Sequence, residues 1–199
     1  MRVFSYKLVR DFGFAPHPFG DLCTLATCKP QVRSAARIGD IVVGCGSPAL
    51  NRANQIIFAM RVDEKMSFDA YWSDPRFASR KPNFQASHSH AYGDNIYHRE
   101  GGVWVQLDSH HSFENGVVNV DNLERDTGAD AVLIGSDFVY WGAQAVPIPA
   151  HLQDGQYGDS LYPIARSHRS VFTPEFVAAV EHWFESIAPR GLQGLPSSW

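Results

Sequence analysis

Two apolar runs constrain this chain most. Ile41–Gly46 reads IVVGCG and Gln55–Asp63 reads QIIFAMRVD, and the stretch between them, SPALNRAN, is polar and turn-forming. Such runs suit strands: β-branched and aromatic side chains pack well on a pleated surface, and each run is too short for a buried helix. Two strands joined by a short polar loop predict a hairpin. A near-continuous apolar strand also needs apolar cover on both faces. With 44% hydrophobic and 19% charged residues in 199, the chain has that cover. Its length suits one domain over residues 1–190, followed by a C-terminal tail over 191–199.

Further elements follow from local signals. Residues 3–9 alternate as a strand does, and the Pro-rich FGFAPHPFGD after them forbids regular structure. Lys29-Pro30 opens a short helix to about Arg37, and Ser67 caps a second helix over FDAYW that Asp74-Pro75 ends. Residues 82–95 read as a long polar loop, 103–107 as a strand, and the chain from there to Asp130 as loop again. Residues 131–135 and 138–141 read as strands. Thr173-Pro174-Glu175 starts a helix whose Phe176, Val180, Phe184 and Ile187 share one face. Strands outnumber helices and follow one another, which predicts an α+β fold with a curved, mostly antiparallel, barrel-like sheet and a few flanking helices.

The net charge of −4 argues against gripping nucleic acid mainly by phosphate neutralisation, although Arg76, Arg80 and Lys81 form a local basic group. Cys23, Cys28 and Cys45 are too few for a disulfide framework and are expected to be small buried side chains in a reducing compartment. The charged start MRVFSYKLVRDF lacks an apolar signal core and no stretch suits a membrane span, so a cytoplasmic protein is expected.

Chemistry concentrates in Ser87–Ser112, SHSHAYGDNIYHREGGVWVQLDSHHS, which holds five of the nine histidines. Histidine changes charge near neutral pH, so the group marks a polar site. Asp94, Asn95, His98, His110 and His111 are the expected catalytic residues, converging around one concave site. Tyr97, Trp104, Gln106, Ser109, Ser112, Asp126 and Trp72 are the expected substrate-binding residues. Function is expected to depend on His110 or His111 more than on any cysteine. No HExxH motif occurs and the histidine spacing is generic, so no metal and no cofactor is expected. No GxSxG elbow occurs either, and adjacent Ser109 and His110 do not form a nucleophile–base pair by themselves. Gly44-Cys45-Gly46 lacks the rest of a dinucleotide fingerprint and reads as a bulge or a close backbone approach. Aromatic walls beside amide and imidazole edges suit a pocket for an extruded nucleobase.

The segments CTLATCKPQVRSAARIGDIVVGCGS, AMRVDEKMSFDAYWSDPRF, GDNIYH, VWVQLDSHHS, NLERDTGADAVLIGSDFVYWGA and AVPIP occur in order, in a resemblance that covers about residues 1–155. Together they resemble the nucleotide modification associated domain family, second type. That resemblance implies association with DNA-base modification and conflict between phages and hosts. A looser likeness in IGDIVV, QIIFAMRV and FDAYW resembles PUA-like domains of the EVE and YTH groups, which are small curved barrels that bind modified bases. The implied partner is DNA or a nucleotide carrying a modified base, with no membrane. The implied function is recognition of that base and action on it, by excision or modification. As a DNA glycosylase, Asp94 would orient water or stabilise oxocarbenium character, and His98 or His110 would donate to the departing base. The alternative is a non-catalytic PUA-like reader, with Trp104 or Trp72 stacking on the base.

Overall fold

The computed structural model describes residues 1–153, 159–164 and 168–199. In chain order the strands are β1 (Val3–Leu8), β2 (Cys23–Leu25), β3 (Ile41–Gly46), β4 (Gln55–Arg61), β5 (Glu64–Met66) and β6 (Tyr97–Glu100). They continue with β7 (Val103–Gln106), β8 (Val132–Gly135), β9 (Phe138–Tyr140), β10 (Val146–Pro147), β11 (His168–Arg169) and β12 (Gly191–Leu192). The α-helices are α1 (Pro30–Ala35), α2 (Phe68–Ser73), α3 (His88–Ala91), α4 (Val120–Thr127) and α5 (Pro174–Ser186). Strands and helices are mixed in an α+β fold, and the chain divides into two compact units.

The first unit comprises Met1–Asp11, Ala36–Asp63 and Gly135–Trp199. Its sheet runs β11-β1-β3-β4-β9-β12, with β10 paired to β4. The expected hairpin is its centre: β3 and β4 are antiparallel, Ile41 facing Arg61 and Val43 facing Ala59, with a register shift between Gly44 and Cys45. That shift is the bulge the glycines suggested. A Cβ on Gly44 would overlap the Phe58 ring and Leu8, so the position also needs glycine for close packing. The strands β1 and β3 are parallel, as are β9 and β12, so the sheet is mixed. Among the described residues no pairing joins β11 to β12, and the sheet is not closed into a barrel. The Thr173 hydroxyl caps α5 by accepting from the Phe176 amide at 3.3 Å. Phe176, Val180 and Phe184 of α5 share one buried cluster with Val3, Ile41, Val43, Cys45, Ile56 and Val139. The other face of the strands is covered too: Phe4, Tyr6, Val42, Phe58 and Met60 are buried. Near the C-terminus Ser197 donates its amide to Asp11 at 2.9 Å.

The second unit comprises Phe12–Ala35 and Glu64–Ile134. It holds the sheet β2-β8-β5 and the hairpin β6–β7. Its core gathers Phe14, Ala26, Phe68, Tyr71, Phe77, Ile96, Tyr97, Val132 and Ile134. The Ser67 hydroxyl caps α2 by accepting from the Ala70 amide, as its sequence signal implied. Several elements differ from the sequence reading, among them α3, a short helix inside the stretch 82–95 read as loop. Residues 97–100 pair with 103–106 across Gly101-Gly102, whose φ values of 57° and 84° are what a tight two-residue hairpin turn requires. Residues 120–127, read as loop, form α4. That helix carries no apolar stripe, since Val120 is exposed and its buried residue is Asp126. Its start signal was the Asn119 cap, which accepts from the Asn122 amide at 3.1 Å.

Candidate active site

A relay of three side chains forms within the second unit. Cys28 sits in the turn from β2 to α1 with φ 57°, followed by Lys29 with φ 42°. Two successive left-handed residues that are not glycine are a strained arrangement that surrounding bonds must hold. Here the Cys28 amide donates to Asp126 Oδ1 at 3.0 Å and its carbonyl accepts from Arg33 Nε at 2.8 Å. Arg33 is fully buried and also donates to the carbonyls of Asp126 at 2.5 Å, Ala129 at 2.7 Å and Ala131 at 2.5 Å. One guanidinium thus ties the Cys28 turn to the end of α4.

His111 lies between the other two members. Its Nδ1 is 2.7 Å from Asp126 Oδ2 and its Nε2 is 3.6 Å from Cys28 Sγ. The backbone of His111 is held as firmly: its carbonyl accepts from Gln106 Nε2 at 3.1 Å and Asn122 Nδ2 at 2.9 Å. Asp126 has no exposed surface and also accepts from the Tyr97 hydroxyl at 3.0 Å. Burial disfavours protonation of His111, but the hydrogen bonds and charges of Asp126 and Cys28 outweigh it and raise the imidazole to about 9. Burial likewise opposes the Asp126 charge, yet His111, Arg33 and Arg125 outweigh that and hold the carboxyl below its ordinary range. Through neutral pH the pair is an imidazolium on a carboxylate. With both nitrogens protonated, Nδ1 donates to Asp126 and Nε2 points its proton at Cys28.

Aromatic rings enclose this relay. Phe14 meets His111 edge-on at 4.7 Å and His110 at 5.3 Å between centroids. Phe12 and Tyr92 stack at 5.0 Å, and His110 packs against both. Beside His110 an open groove of about 470 Å³ is lined by Phe84, Asp108, Ser109, Phe113 and Glu114 among others.

The sequence-derived residues fall into separate groups. Tyr97, Gln106, Ser109, His111 and Asp126 share one hydrogen-bonded network, with Ser112 donating to the Ser109 carbonyl at 3.0 Å. His110 packs beside it. Asp94 and Asn95 lie in a different, buried network. Asp94 accepts from the hydroxyls of Thr24 at 2.6 Å and Tyr71 at 2.7 Å, and Asn95 donates to the carbonyls of Tyr71 and Phe77. Arg80 joins that network through Thr24 and the ring of His17. Burial pushes His17 down to about 4, so its Nδ1 accepts from Arg80. His98 stacks on Trp72 at 3.8 Å and pairs with Glu100 at 3.0 Å. Trp104 packs edge-on against Phe68, with the Arg99 guanidinium 3.7 Å from its ring centre. The basic group expected at residues 76–81 is committed elsewhere: Arg76 pairs with Glu64 and Asp74, and Arg80 is buried.

Sequence reasoning passed over Cys28. Cys23 and Cys45 are buried as expected, but Cys28 is half-buried. Its signal was the short TCKP, a cysteine followed by a cation at a strand-to-helix turn, where thiols become reactive. Cys28, His111 and Asp126 also place three potential metal-ligand atoms within 4.8 Å of one another. Asp126 already accepts from three donors at 2.7–3.0 Å, which leaves about one of its lone-pair directions for a metal. The donor set therefore fits a proton relay better than a metal centre.

The family model for nucleotide modification associated domain 2 matches residues 1–199, the whole chain. The chain belongs to that family. Neither the comparison with curated proteins nor that with solved structures gives a match. In this nucleotide modification associated domain, the relay and its aromatic surround all come from the second compact unit. No helix among the described residues is long and apolar enough to cross a membrane.

Proposed function

We propose that this nucleotide modification associated domain is a thiol-dependent enzyme that acts on a modified base or nucleotide. The observation that carries the reading is the linear order Cys28 Sγ, His111 Nε2, His111 Nδ1, Asp126 Oδ2, at 3.6 Å and 2.7 Å. A nucleophile, a base and an orienting carboxylate in that order are the parts of covalent catalysis. Cys28 attacks, His111 carries the proton, and Asp126 fixes the imidazole and its charge. Arg33 and Tyr97 are positioning residues.

Base excision through Asp94 finds less support, because that carboxylate has no exposed surface and its oxygens accept from Thr24 and Tyr71. The PUA-like, barrel-like reader has a similar difficulty. Trp72 carries His98 at 3.8 Å and Lys81 Nζ 3.5 Å from its ring, and Trp104 carries Arg99, so a stacking base would have to displace them.

Iodoacetamide labelling read by mass spectrometry tests the thiol. Near neutral pH Cys28 should react about tenfold faster than in His111→Ala, which removes the imidazole 3.6 Å from its sulfur. Cys23 and Cys45 serve as internal controls, their thiols buried and pushed up by burial. Equal Cys28 rates in the two proteins would refute the relay.

A further inference from the structure

We propose that the reaction at Cys28 is acyl transfer, and that the substrate is a nucleobase whose exocyclic amine carries an amide-linked acyl group. The proposal rests on the thiol-enzyme reading above and narrows its chemistry.

Two other uses of the site fit it less well. Thiol–disulfide exchange needs a second accessible thiol, yet Cys23, the other cysteine of this unit, has no exposed surface. Metal-assisted hydrolysis needs the donors that the relay already uses. Acyl transfer requires what is present: a sulfur facing an imidazole that can give up a proton and take it back.

The step balances as follows. Sγ, as thiolate, bonds to the acyl carbonyl carbon, and the carbon–nitrogen bond breaks. The departing exocyclic amine takes the proton from His111 Nε2, leaving a thioester on Cys28 and a neutral imidazole. Water then attacks the thioester and gives its proton to His111, the carbon–sulfur bond breaks, and the acid leaves with the thiolate restored. An amine is a poor leaving group unless it is protonated. His111 stays protonated to about 9, so the needed acid is available through neutral pH.

The groove beside His110, the residue before His111, is the surface offered to the rest of the substrate; Cys28, His111 and Asp126 are not part of its lining. Its lining includes two exposed rings, Phe84 and Phe113, with Asp108, Glu114 and Asn115, and neither a lysine nor an arginine. Such a surface suits a planar, uncharged or amino-bearing group and repels a polyphosphate. A base presented as a nucleoside meets that requirement.

The test uses the full chain and three probes: iodoacetamide, p-nitrophenyl acetate, and N-acetylated cytosine and adenine deoxynucleosides. The expected result is fast alkylation of Cys28, one acetyl group on the Cys28 peptide that hydroxylamine removes, and release of free nucleoside. Cys28→Ser should lose all three signals. Its near-identical size keeps the fold, which circular dichroism and thermal melting would check. Fast alkylation with no acetyl adduct and no deacylated nucleoside would overturn acyl transfer while leaving the thiol-enzyme reading intact. Acetylation by the activated ester without turnover of either nucleoside would overturn the N-acyl base as substrate. Slow alkylation, indistinguishable from His111→Ala, would overturn the thiol-enzyme reading itself.

Discussion

Asp126→Asn probes the relay most directly. The carboxylate accepts from the Cys28 amide at 3.0 Å, the Tyr97 hydroxyl at 3.0 Å and His111 Nδ1 at 2.7 Å. An amide has one oxygen to offer, so its NH₂ must face one side of this set. Turned to the Cys28 side, it meets another N–H donor. Turned to the other side, it faces Tyr97 and His111, and the imidazole can bond it only with Nδ1 unprotonated. That tautomer fixes the proton on Nε2, so the nitrogen facing Cys28 can no longer take a proton back. The raising of His111 from 6.5 to about 9 corresponds to roughly 3 kcal/mol of interaction between the charged imidazole and its neighbours. Asp126 supplies only part of it, with Cys28 supplying the rest, so the variant should lose roughly 2–3 kcal/mol at neutral pH. The sign in pH follows from linkage. A histidine raised on folding contributes fully below its ordinary value of 6.5, and the contribution is lost as pH rises through about 9. Urea unfolding at about pH 6 and again above about pH 9 should therefore show a large gap between wild type and variant that narrows at the higher pH. In NMR titrations His111 should move from about 9 in the wild type to well below that in the variant, because burial then acts with less opposition. A gap independent of pH, together with a His111 titration unmoved by the substitution, would refute the ion-pair account.

Other substitutions separate support from chemistry. Asp94→Ala leaves the buried hydroxyls of Thr24 and Tyr71 without their acceptor, and should cost about 3–5 kcal/mol in denaturant unfolding. The labelling rate of Cys28 per folded molecule should stay unchanged, and a selective loss of labelling would return Asp94 to the active site. Arg33→Met removes four hydrogen bonds to buried carbonyls and should lower stability by roughly 3 kcal/mol or more. It should also slow Cys28 alkylation, because the turn loses its anchor; unchanged labelling kinetics would deny Arg33 a positioning role. Gly44→Ala pushes a methyl into Phe58 and Leu8 and should cost about 1–3 kcal/mol in thermal or urea melts, without altering Cys28 reactivity. A neutral result there would mean that the β1–β3–β4 packing yields more readily than its geometry implies.

Local chemistry made much of the fold legible. IVVGCG and QIIFAMRV carry their strand character in β-branched side chains, and Thr173-Pro174-Glu175 carries a helix start in its cap and its proline. Those signals act over a few residues, so the hairpin and α5 could be read without knowing what they touch. The helix α4 escaped notice because its inward side presents a carboxylate where an apolar stripe would normally announce a helix. The density of histidine did point to His111, and Asp126 was expected at the same site as a binding residue, but Cys28 was not. Cys28 lies 83 residues away from it and Asp126 lies 15 away. Their meeting depends on the buried Arg33 pulling the Cys28 turn and the end of α4 to one point. Asp94, in contrast, looked like a site residue because it stands among histidines in the sequence. Folding turned it inward, where Thr24 and Tyr71 occupy its oxygens. Sequence neighbours share a segment, whereas a relay needs side-chain atoms within hydrogen-bonding distance, and only the packed chain decides which atoms those are.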